Sequence, residues 1–132
     1  MLKRVHSHAL VALLGIGVTL AAPRAHAHHA FSAEFDINKP IQLKGTLTKV
    51  EWVNPHSWIY VEVPDESGNV THWAVEFGAP AALRRRGFSA ADFPTGIEVT
   101  VNGYLAKSGK EIVNAKTVVL PDGRDLYAGD DE

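Results

Sequence analysis

A chain of 132 residues with no cysteine has room for one hydrophobic core and no disulfide or thiolate chemistry to draw on. Thirteen basic residues face fifteen acidic ones, a net charge of -2 with neutral histidines, and that balance excludes a general binder of nucleic-acid phosphates.

The first 27 residues read as an export signal. Lys3 and Arg4 supply positive charge, Ala9 to Ala22 run without a charge, and Pro23 and small residues follow. Ala25 and Ala27 stand at the third and first positions before a cut after Ala27, as signal peptidase requires. The apolar run is too short to span a bilayer, so the expected product is exported, periplasmic or secreted, without a stable membrane anchor. Removing residues 1 to 27 takes away Lys3, Arg4 and Arg24 and no acid, which leaves ten basic residues against fifteen acidic ones.

Residues 28 to 132 then form a single domain. Its ends, His28 to Pro40 and Pro121 to Glu132, read as extended arms. From Ile41 to Val53 the apolar positions alternate through Ile41, Leu43 and Leu47, then shift phase to Val50 and Trp52, which with Gly45 nearby predicts a bulged, bent strand. Asn54-Pro55 makes a corner, His56 to Val63 is rich in aromatic and β-branched residues, and a turn before Val70 leads into a third strand through Phe77. If Val63 falls opposite Val70, His72 lies near Val61 and on a polar face with Ala74 and Glu76. Ala79 to Gly87 predicts a short helix, with Pro80 in its first turn, arginines at its end and Gly87 as its stop. Ser89 with Asp92 predicts one more helical turn. Two strands follow, over Ile97 to Ala106 and Glu111 to Leu120. Three strands, a short helix and two strands is the order of an all-β, five-stranded OB-like Greek-key barrel; a small β-sandwich is the alternative.

Four histidines survive the cut: His28, His29, His56 and His72. A free N-terminal His28 carries an amine and an imidazole nitrogen on one residue, a pair that chelates tetragonal Cu(II). His56, beside the strand corner, would complete a three-nitrogen brace, with His29 as an alternate ligand. Zinc would require a carboxylate such as Glu34 or Asp36. His72 lies too far along the strands from His56 to share an ion, and reads as solvated. Asn54, Trp58, Arg84, Arg85 and Arg86 are candidate contacts for a ligand that is not a metal. Trp52, Trp58, Tyr60 and Trp73 could offer a stacking surface, although a small barrel without disulfides needs aromatic side chains for its core. No nucleophile elbow, cysteine nucleophile or glycine-rich phosphate loop is present, and no catalytic residue is assigned.

The segments HHAFSAEFD, KGTLTKVEWVNPHSWIYV, WAVEFGAPAALRRRGF and VTVNGYLAKSG resemble a family of small exported bacterial proteins, the domain-of-unknown-function family 6152. The resemblance puts His28, His29, Phe31, Asn54, Pro55 and His56 at motif positions and implies no established activity. The expectation is a small exported, non-enzymatic binding protein that takes copper at His28 and His56. Its alternatives are a metal-free module that meets a cell-envelope protein or glycan, and a copper-dependent oxidoreductase.

Overall fold

The computed structural model describes residues 27–129, with side chains from residue 31 onward. The predicted signal peptide lies outside them except for Ala27. Six strands and two short helices follow in the order α1 (Ala27–Glu34), β1 (Phe35–Glu51), β2 (Trp58–Pro64), β3 (Val70–Glu76), α2 (Pro80–Arg85), β4 (Glu98–Ala106), β5 (Ile112–Val119) and β6 (Asp125–Tyr127), with a 3-10 turn at Ala90–Asp92 between α2 and β4.

The sheet runs β3-β2-β1-β4-β5-β6, and a parallel pairing of β3 with β5 closes its first five strands into a ring. This is the all-β connectivity read from the sequence, with α2 inserted between β3 and β4. Strand β1 reaches around the ring because Thr48 forms a bulge between Leu47, paired with Val61, and Lys49, paired with Tyr60. Gly45 lets it pass close to β2: a Cβ there would lie 2.9 Å from Val61 Cγ1. The ring's interior holds Leu47, Ile59, Val61, Val75, Val99, Val101, Val113 and Val118, all buried. Leu83 of α2 and Phe88 and Phe93 beyond it join the same cluster. Phe93 meets Phe77, Phe88 and Trp52 at ring distances of 5.6, 6.1 and 6.2 Å. Of the four aromatics weighed as core or stacking surface, Trp52 and Trp73 pack half-buried against this core, while Trp58 and Tyr60 are half-buried on the outer face.

Three expectations are corrected. The N-terminal arm is not extended throughout: Ala27–Glu34 is helical and β1 begins at Phe35. Phe31 stacks on Phe35 and meets Tyr104 edge-on, while the Lys107 N–H and Nζ donate to the Glu34 and Ser32 carbonyls at 2.8 and 2.6 Å and fix the helix end. The C-terminal arm supplies β6, which continues the β5 edge where β3 leaves it. The β2–β3 register is one residue from that expected, with Pro64 opposite Val70 and Glu62 opposite His72. The turn sets it: the Asp65 carboxylate accepts from the Ser67 and Asn69 N–H groups at 2.8 and 2.9 Å, and the Asp65 N–H donates to the Asn69 carbonyl.

The loop before β4 is tied to the β5–β6 turn by charge. The Asp92 carboxyl lies below its usual range because the Ser89 N–H and the Arg124 guanidinium both donate to it. Because the folded form has the lower pKa, the stabilisation is complete above the unfolded value and is lost as pH falls through the folded one. Asp92→Asn should therefore flatten the decline of melting temperature below about pH 4. Thermal melts between neutral and acidic pH check this, and parallel acid limbs in variant and parent would remove Asp92 from the account.

Candidate functional site

The corner between β1 and β2 is fastened to the end of β3. The Ser57 N–H donates to the Gly78 carbonyl at 3.1 Å and the Phe77 N–H donates to the Ser57 carbonyl at 2.7 Å, which extends the pairing past Trp58. The Gly78 N–H in turn donates to the Ala128 carbonyl at 3.0 Å. The Asn54-Pro55 peptide is cis, and Asn54 is exposed.

This framework sets His56 over Glu76. Glu76 follows buried Val75 and precedes buried Phe77, so it points to the outer face of the ring, yet its side chain is only 6% exposed. The His56 Nδ1 hydrogen-bonds the Glu76 Oε1, with the imidazole 36% exposed above it. A buried carboxylate under a half-open imidazole fixes the ring's orientation and favours Nδ1 as an N–H nitrogen, so that in the neutral imidazole the lone pair is on Nε2. Beside them the Ser57 hydroxyl is fully buried and has no hydrogen-bond partner among the described residues.

The outer face continues across the closure of the ring. Trp58 pairs with Glu76, Glu76 with Asn114 and Asn114 with Tyr104, one residue from each of β2, β3, β5 and β4. Tyr104 is where Phe31 of α1 packs, at 5.9 Å between rings. Two strand spacings, about 10 Å, therefore separate the Glu76 backbone from Tyr104 on β4, against which α1 packs. His28 and His29 lie in the first turn of α1, three and two residues before Phe31, and their side chains fall outside the described residues. Among the described side chains no three His, Asp or Glu groups gather as a metal site.

The other predicted residues divide. Trp58 is half-buried in the same row as Glu76. Arg84 and Arg85 are exposed, but Arg86 turns from them: its guanidinium donates to the Gly129 carbonyl and lies 4.7 Å from the centre of the Tyr127 ring. His72 is exposed, with Nδ1 3.5 Å from Glu62, and stands four residues along β3 from Glu76, about 13 Å away. Glu76 and Ser57 are the residues that sequence reasoning missed. The signal for Glu76 was a lone charge inside the apolar run Trp73 to Phe77, a pattern of strands covered on both faces.

A family model described as "Family of unknown function (DUF6152)" matches residues 17–114, which include α1, the β1–β2 corner and Glu76. No curated protein and no solved structure matches the chain.

Proposed function

The chain belongs to that family of unknown function, DUF6152, and from its own residues we propose that it is a small exported binding protein whose mature N-terminus holds copper. The His56–Glu76 pair carries the reading. Metal-binding histidines characteristically give their second ring N–H to a carboxylate, which sets the tautomer and aims the other nitrogen at the ion. Cleavage after Ala27 would place the α-amine and imidazole of His28 at the start of α1. The Phe31–Tyr104 contact ties that helix to the strand two spacings from Glu76. Amine, His28 imidazole and His56 Nε2 make the tetragonal three-nitrogen set that suits Cu(II), with His29 as alternate ligand. Periplasmic or secreted placement follows from the same signal segment, since the amine exists only after export.

The experiment compares the chain beginning at His28 with the same chain bearing one extra N-terminal residue, by Cu(II) titration and electron paramagnetic resonance. The first should bind one copper through several nitrogens, and the second about a hundredfold more weakly or worse, since losing a ligand costs more than losing a group that orients one. Equal affinities would remove the brace and leave a metal-free interaction module.

A further inference from the structure

We infer that the outer face of β2, β3 and β5 carries a second site, separate from the His56–Glu76 pair, that binds a saccharide ring against Tyr60. Tyr60, Ala74 and Ile112 lie side by side on adjacent strands. The small Ala74 between two large residues leaves a slot two strand spacings wide, about 10 Å, and it opens into a groove of 510 Å³. That volume suits a small organic ligand.

The walls specify the chemistry. Lys49, paired with Tyr60 from the β1 side, places its ammonium 4.9 Å from the centre of the Tyr60 ring and lines the β1 end of the groove, with Ala74 and Ile112 on the other side of Tyr60. The phenol hydroxyl donates to Glu51 Oε2 at 2.9 Å, and Lys49 pairs with the same carboxylate, which holds the ring in place. An immobilised aromatic face beside a methyl floor is what the C–H face of a sugar packs on. At the rim stand Lys110, Glu111 and His72. Lys110 makes no ion pair with any described residue, and the rim therefore offers both a strong donor and a strong acceptor, as vicinal hydroxyls require. Lys49 is neutralised by Glu51, and Lys110 stands beside Glu111, so the groove is nearly neutral, which disfavours a polyanion and suits an uncharged glycan.

The slot is two residues along the strands from the Trp58–Glu76 row, about 7 Å, so it can be tested on metal-free protein independently of copper. Chitotriose and cellotriose are titrated into the chelator-treated chain while backbone amide resonances are followed by NMR. Saturable shifts centred on Tyr60, Ala74 and Ile112 are expected with at least one of them. Ala74→Leu, which fills the slot, should abolish them, and Lys110→Gln and Glu111→Gln should each weaken binding about threefold to tenfold. Tyr60→Leu gives a second loss of binding by removing the platform rather than filling the slot, with dispersed spectra confirming the fold of each variant. No saturable shift with either sugar, undiminished binding by folded Ala74→Leu, or saturation by indole but by neither sugar would overturn the proposal.

Discussion

Replacing Gly103 by alanine should lower the melting midpoint by roughly 12 °C or more, the counterpart of about 3 kcal/mol in a domain of this size. Gly103 lies on β4 where β5 carries an extra residue: Asn102 faces Thr117, but Gly103 faces Ala115. The two backbones approach there so closely that a Cβ would collide with the Asn114 carbonyl oxygen and lie 2.7 Å from Val113 Cγ1. Backbone carbonyls in a sheet have no rotamer to escape into, so β5 itself must shift, and Val113 belongs to the buried core. Gly68 is the control. It has φ 85° in the β2–β3 turn with open space around its Cα, so Gly68→Ala meets only the left-handed backbone penalty of about 1–2 kcal/mol. The two substitutions separate steric collision from conformational strain. Thermal melts that put Gly103→Ala within a few degrees of the parent would mean that β4 and β5 lie farther apart than described. The collision also bears on the site, because Asn114 is the neighbour of Glu76 across the ring closure.

The parts of the fold legible in the sequence are those in which one face of a strand is buried and the other wet. Val99 and Val101 alternate with Glu98 and Thr100, and the period alone assigns β4 and its inner face. The bulge in β1 was visible as a phase shift between Leu47 and Val50, because an inserted residue must turn the apolar positions over. Helix α1 was not visible. Its sequence offers no acidic residue in the first turn and no basic one in the last, and what holds it is Phe31 on Phe35 and Tyr104, with Lys107 at its end. Tyr104 and Lys107 lie 73 to 75 positions from the residues they hold and leave no local trace. The same is true of Glu76. Alternation places it outward correctly, but outward reads as solvent only when nothing covers the sheet, and here the β1–β2 corner brings His56 over it. His56 was singled out for its place at a corner; the carboxylate it hydrogen-bonds comes from a strand 20 residues on.

That carboxylate yields the sharpest functional test. Glu76→Met should leave the melting midpoint nearly unchanged and weaken copper binding by about tenfold to a hundredfold. Stability and function part company here for a physical reason. A carboxylate 6% exposed has lost most of its hydration, and a methionine of similar size fills the space without that cost, while the His56 imidazole, 36% exposed, can turn its Nδ1 to water. What the methionine cannot do is hold the imidazole in one tautomer and one orientation, and a brace whose third ligand rotates freely loses the preorganisation that makes three nitrogens bind as one site. Glu76→Gln, whose amide oxygen still accepts the Nδ1 proton, should recover part of the affinity, whereas His56→Ala should lose more than either because it removes the ligand itself. Isothermal titration with Cu(II) on the four proteins, each beginning at His28, reads the series. If Glu76→Met binds as tightly as the parent while His56→Ala does not, Glu76 has no positioning role; if His56→Ala also binds as tightly, His56 is not a ligand and the brace is wrong. The expected order, with glutamine between glutamate and methionine and alanine at position 56 weakest, is one that a purely structural role for Glu76 would not produce, because such a role would show in the melts and not in the titration.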